Sequence, residues 1–85
     1  MAERKATIAA EVGLHARPAA TFVQTAAKAA IDVTVGKANG PQVNAKSILS
    51  VMALDVRQGE TIVIVADGEG AEELLDELVK IAEAP

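Results

Sequence analysis

Eighty-five residues leave room for one folding unit, since domains run upward of about fifty residues, so a single domain over residues 1–85 is expected and a multidomain enzyme is excluded. No cysteine and one histidine rule out disulfides and a zinc site built on its usual nitrogen and sulfur donors, so neither a metal nor a cofactor is expected. A formal charge of −4 and one aromatic residue, Phe22, supply neither the phosphate-neutralising excess nor the stacking surfaces of a nucleic-acid binder.

Along the chain, residues 6–12 alternate, with Ala6, Ile8, Ala10 and Val12 on one side, which is the period of a half-buried strand. From Ala19 the period changes: Ala19, Phe22, Val23, Ala26 and Ala30 form the stripe of an amphipathic helix of about three turns. Ile31, Val33 and Val35 alternate again, Asn39-Gly40 is the dipeptide most typical of tight hairpins, and Val43 and Ala45 continue beyond it. Pro41 suits the first residue of a strand or an edge. Ser47 is placed to cap a short helix through Ala53, whose Ile48, Leu49, Val51 and Met52 are too many apolar residues for one buried face. Some of them should therefore face solvent.

Gln58-Gly59 turns the chain into residues 61–66, apolar on both faces and hence a central, buried strand. After the loop Asp67-Gly68-Glu69-Gly70, the stripe Ala71, Leu74, Leu75, Leu78 and Ile81 or Ala82 marks a last helix with Glu72 and Glu73 in its first turn. The order β-α-β-β-α-β-α predicts an α+β fold, an antiparallel sheet with helices packed on one side. Residues 1–57 carry seven basic and four acidic side chains, while residues 58–85 carry one, Lys80, against eight. An acidic partner should therefore meet the first two-thirds of the chain. No run approaches the ~20 apolar residues of a membrane span, and Glu11 interrupts any signal-peptide core, so a cytoplasmic address without membrane insertion is expected.

One segment concentrates chemistry. His15 lies between the first strand and the first helix in Gly13-Leu14-His15-Ala16-Arg17-Pro18-Ala19. Read blandly, it is a solvated loop histidine. A helix N-terminus, however, offers unpaired amides and the positive end of the macrodipole to an anion, and an imidazole at that mouth is suited to receive and release a phosphoryl group near neutral pH. Arg17 can donate to phosphate oxygens, and Pro18 fits the first helical position, which would make Arg17 the cap, with a start one or two residues earlier left open by the sequence. Ser47, an ordinary cap in the bland reading, would carry about −1.5 to −2 charges beside Ile48, Leu49 and Met52 if phosphorylated.

The Gly13-to-Ala19 segment, together with Val43-Asn44-Ala45-Lys46-Ser47-Ile48, resembles the active-site and regulatory-serine signatures of the HPr family, the histidine-containing phosphocarriers of the bacterial phosphoenolpyruvate:sugar phosphotransferase system. The resemblance runs over residues 5–82. It implies an open-faced β-sandwich, with a four-stranded antiparallel sheet of order 1-4-2-3 and three helices on one face. It implies that His15 takes phosphate on Nδ1 from phosphorylated enzyme I and passes it to IIA domains of sugar permeases, with Ala16, Arg17 and Pro18 holding the phosphoryl group. It further implies docking of partners on Ala20, Ile48, Leu49 and Met52, and phosphorylation of Ser47 by the regulatory HPr kinase/phosphorylase. Such a carrier is a covalent intermediate in a transferase chain, not an enzyme with its own substrate pocket, and is expected to be a monomer. The sequence differs from many members in Val12, where a small polar residue is common, in one extra residue around positions 36–41, and in Ser50, where many Gram-positive members have glycine. Two other readings stand beside the carrier: a regulatory adaptor that binds a transcriptional regulator or enzyme when Ser47 is phosphorylated, and an α+β binding domain with an incidental histidine.

Overall fold

The computed structural model describes residues 1–14 and 16–85, apart from the side chain of Ala16. The elements, in order, are β1 (Ala2–Thr7), α1 (Ala16–Ala27), β2 (Asp32–Lys37), β3 (Val43–Asn44), α2 (Ile48–Ala53), β4 (Thr61–Asp67) and α3 (Ala71–Glu83). They form a four-stranded antiparallel sheet of order β1-β4-β2-β3 with three helices, the α+β open-faced arrangement expected.

β4 is central, paired along one edge with β1 and along the other with β2. Its register sets Ile62 and Ile64 beside Ala6 and Arg4 on one flank and Lys37 and Val35 on the other. On the helix-covered face Val33, Val35, Ile62, Ile64 and Ala66 are buried. Glu3, Lys5, Thr7 and Thr34 alternate to the opposite face, as the two-residue period of a strand requires. Phe22, Ile8, Leu14, Leu75, Leu78, Val51 and Val56 complete the fully buried set between sheet and helices. α1 and α3 pack against each other and α3 lies on β1 and β4.

Four expectations need correction. The first strand spans Ala2–Thr7 and not 6–12: its six residues pair from Ala2↔Ala66 to Thr7↔Thr61, and β4 offers no partner beyond Thr61. Burial does keep alternating through Ile8 and Ala10, while Val12 is 64% exposed, so the sequence period recorded burial and not pairing. The charges that hid the strand are accommodated locally: Arg4, on the helix-covered face, reaches Glu72 and Asp76 of α3.

The first helix begins at Ala16, the earlier of the starts the sequence leaves open, so Arg17 and Pro18 are its second and third residues and not cap and first residue. Proline is tolerated there because the first four amides of a helix have no intrahelical acceptor. At the other end α1 stops at Ala27, so Ala30 is exposed and outside the stripe.

Asn39-Gly40 does not make a two-residue hairpin. β2 and β3 pair only at Thr34↔Asn44 and Val35↔Val43, and neither Asn39 nor Gly40 has the positive φ of a type I′ turn. Instead the Gly40 amide donates to the Lys37 carbonyl at 2.9 Å, and the loop folds back until the Pro41 carbonyl occupies the space a Cβ on Gly36 would need.

Candidate functional site

His15 lies outside the described residues; its chain neighbours are informative. Leu14 is buried, and its amide donates to the Val56 carbonyl at 2.9 Å. Ala16 opens α1, a helix of 12 residues with no acidic side chain in its first turn. The positive end of that helix is therefore not neutralised by its own side chains. Arg17 is exposed, and its carbonyl accepts from Thr21 Oγ1 at 3.1 Å. The Arg17 side chain lines a shallow cleft of about 230 Å³ with Pro18, Thr21, Ile81, Ala84 and Pro85. Pro18, half-buried, has no amide hydrogen, so it contributes a fixed φ and leaves donation to the neighbouring amides.

Beside this mouth lies an apolar surface. Leu49 is 79% exposed, Met52 37% and Ile48 36%, whereas Val51 of the same helix is fully buried. That split follows from the six-residue length of α2: one turn and a half has room for one inward residue, and the rest of its apolar set must face out. α1 packs beside α2. Ala20, Val23, Gln24 and Ile48 line a cleft of about 270 Å³ between them, so the structure does bring Ala20 to the α2 patch. From sequence Val23 is read only as part of the buried stripe of α1 and neither it nor Gln24 as a docking residue, although Gln24 sits one helical turn beyond Ala20.

Ser47 caps α2 as expected. Its φ and ψ are extended, its Oγ accepts the Ser50 amide at 3.3 Å and its carbonyl accepts the Val51 amide at 3.0 Å. Next to it the Lys46 ammonium donates to the Ala29 carbonyl at 2.8 Å, tying the serine segment to the chain that leaves α1.

Among the described residues, then, α1 opens with a cation and no acid in its first turn, and an apolar patch lies alongside it on α2. In comparison with known sequences, a sequence model described as "PTS HPr component phosphorylation site" matches residues 2–84. The chain belongs to the HPr family. It is 47% identical over 81 residues to phosphocarrier protein HPr of Streptomyces coelicolor, covering 95% of this chain and 87% of that protein. It superposes with a TM-score of 0.90 on the crystal structure of an HPr from Bacillus anthracis, at 38% identity over 96% of each chain. A second structural relative is Bacillus subtilis Crh, crystallised as a dimer with a swapped domain, at a TM-score of 0.74 and 39% identity over 100% of this chain and 99% of that one.

HPr proteins are phosphocarriers of the phosphotransferase system, which places this chain among carriers and not among catalysts with their own substrate pocket. Among the described residues no helix is long and apolar enough to cross a membrane. The resemblance seen in the two sequence signatures thus holds for the family and for the fold.

Proposed function

We propose that residues 1–85 act as one cytoplasmic phosphocarrier unit, in which His15 accepts a phosphoryl group from phosphorylated enzyme I and passes it to IIA domains of sugar permeases. The observation that carries this reading is the opening of α1 at Ala16, directly after His15 in the chain, with no carboxylate in its first turn. In the transfer, an imidazole nitrogen lone pair forms the new P–N bond as the donor's bond to phosphorus breaks. Negative charge spreads over the three equatorial oxygens, and the task of the carrier is to position and neutralise it. The Ala16 and Arg17 amides and the Arg17 guanidinium are the donors assigned to those oxygens, with Pro18 fixing the first turn. Ala20, Ile48, Leu49 and Met52 form the patch on which enzyme I and the IIA domains dock in turn.

The test is incubation with enzyme I, phosphoenolpyruvate and Mg²⁺, followed by mapping of acid-labile phosphate. One phosphate on the wild-type chain and none on His15→Ala is expected. Phosphate that persists in the variant, or never appears on the wild type, overturns the reading.

A second role is supported by the Ser47 hydroxyl, which stands at the cap immediately before Ile48 and Leu49. Phosphorylation there by an HPr kinase/phosphorylase would put about two negative charges at the rim of an apolar docking patch. It would weaken docking of enzyme I and create a surface for a transcriptional regulator. Ser47→Asp keeps a good capping side chain while adding charge, so it should leave the melting temperature nearly unchanged and weaken binding to enzyme I. Equal affinity of variant and wild type removes this role. The carrier is taken to work as a monomer, and because the Crh relative forms a swapped dimer, sedimentation at working concentration is the appropriate check.

A further inference from the structure

The chain between β1 and His15 is held by hydrogen bonds to one short stretch, residues 56–60. The Ile8 amide donates to the Glu60 carbonyl at 2.9 Å, and the Gly59 amide to the Ile8 carbonyl at 2.8 Å. Gln58 Nε2 reaches the Ala9 carbonyl at 3.0 Å, and the Leu14 amide donates to the Val56 carbonyl at 2.9 Å. The last of these is adjacent in the chain to His15, and unlike the Gln58 contact it is dry, because Leu14 is 1% exposed and Val56 0%. A buried donor left without its acceptor is costly, so this bond fixes Leu14 more firmly than an exposed contact would.

Gly13 tightens the same spot. Its φ is +72°, and a Cβ there would run into the Val56 carbonyl oxygen and come within 3.0 Å of Arg57 Cα. The loop can lie on the Val56 main chain only because position 13 has no side chain. Val56 in turn is set by the end of α2. The Leu54 amide donates to the Val51 carbonyl at 3.2 Å and the Asp55 amide to the Met52 carbonyl at 3.1 Å, and Asp55 turns the chain away with a φ of 53°.

We propose that the Val56 carbonyl is the seat of the phosphoacceptor loop, with Gly13 and Leu14 as positioning residues for phosphoryl transfer. The stretch that ends the docking helix is also the stretch on which the residue before His15 rests. A partner that grips Leu49 and Met52 of α2 thereby meets Leu14, the residue before His15, at a fixed offset. This deepens the phosphocarrier reading and rests on it, because it takes His15 as the group to be positioned.

Three altered chains test the seat. Gly13→Ala adds the colliding methyl. Gly70→Ala places alanine at a comparable positive φ of 81°, away from the loop and with only an ordinary contact at 3.6 Å to Glu73, and so carries the backbone penalty without the collision. A synthetic chain with an ester in place of the Leu14 amide deletes the N–H and adds no bulk. Each is read by kcat and KM for phosphoryl acceptance from enzyme I, by the NMR titration of the His15 imidazole, and by thermal melting. Gly13→Ala should lower kcat ~10- to 100-fold, the scale expected of ~1 Å misplacement, with KM nearly unchanged and the imidazole titration shifted. The ester should move kcat and the titration in the same direction, and Gly70→Ala should lose stability without moving either. Wild-type kcat and an unmoved imidazole in Gly13→Ala overturn the seat, as does an equal effect from Gly70→Ala. If Gly13→Ala does not fold, the ester decides. If the wild-type chain takes no phosphate at all, the carrier reading fails, and the imidazole titration alone still judges the seat.

Discussion

α1 and α3 are both amphipathic helices packed on one sheet and against each other, yet their N-termini are treated in opposite ways. α1 opens Ala16-Arg17-Pro18 with no acid in its first turn. α3 follows Gly70, which lies at a φ of 81° and makes no side-chain cap, and carries Glu72 and Glu73 in its first turn. The backbone gives both helices the same free amides and the same positive end. At α3 the chain's own carboxylates balance that end, and Glu72 is further held by Arg4. At α1 nothing of the kind is supplied, and a cation is added instead. On the proposed phosphocarrier reading, the helix mouth that takes an anion is the one to which the sequence supplies no acid.

The largest expected effect tests whether the two helices stand on one core. Phe22 of α1 and Leu75 of α3 are both fully buried. Phe22→Ala should cost about 3–5 kcal/mol and Leu75→Ala about 2–5 kcal/mol, a large share of the stability of any small domain. Urea unfolding followed by helix signal and by amide exchange should show α1 and α3 lost together in both variants. A Phe22→Ala protein that releases α1 and keeps α3 protected would break the comparison into two independent units.

A smaller change separates function from stability. Arg17→Glu gives α1 the acidic first turn that α3 already has. Removing one preorganised donor for a charged transition state costs about 100- to 1,000-fold in rate, and added repulsion should put the loss in phosphoryl acceptance at the upper end. Helix stability should hold or rise by about 0.3–1 kcal/mol. Glu73→Lys makes the opposite change at α3, and should lose a similar small stability while leaving transfer unaltered. An Arg17→Glu protein that still accepts phosphate at the wild-type rate would show that the acid-free mouth is not what the transfer uses.

Much of this was legible in the sequence where one local signal sufficed. The stripe Ala71, Leu75, Leu78 and Ala82 is the buried face of α3, Ser47 is the cap of α2, and the doubly apolar run after Thr61 is the central strand. β1 was hidden because Glu3, Arg4 and Lys5 break apolar alternation, and only the register with β4 and the acids of α3 show how they fit. The hairpin misled because Asn39-Gly40 favours a tight turn, whereas the close packing of Pro41 on Gly36 imposes a longer one. At the site, the Ser47 cap and the outward-facing part of the α2 apolar set were readable from residue types and spacing, while the docking role proposed for Ile48 comes from the family resemblance. Val23 and Gln24 depend on how α1 and α2 lie together, and the Val56 seat is a backbone carbonyl, which leaves no mark on a sequence.

The smallest expected effect concerns a carboxylate that accepts a backbone amide outside any helix. Glu60 Oε1 accepts the Arg57 amide at 2.9 Å, and Glu60 Oε2 meets Lys37 Nζ at 3.2 Å. The Arg57 amide, and after it Lys37, hold the Glu60 carboxyl below the usual glutamate range. A depressed folded-state pKa means that the contribution is present above the unfolded pKa and is lost as pH falls through the folded one. Glu60→Gln should therefore be less stable than wild type at neutral pH and converge with it in acid, which urea midpoints measured across that range would show. Salt should shrink the difference, because the ion-pair partners are more than a third exposed. Arg57 amide exchange should accelerate in acid before the β4 amides do, since the 57–60 turn would open first. Parallel acid loss in variant and wild type would mean that this turn, and the loop resting on the same segment, are held by the main chain alone.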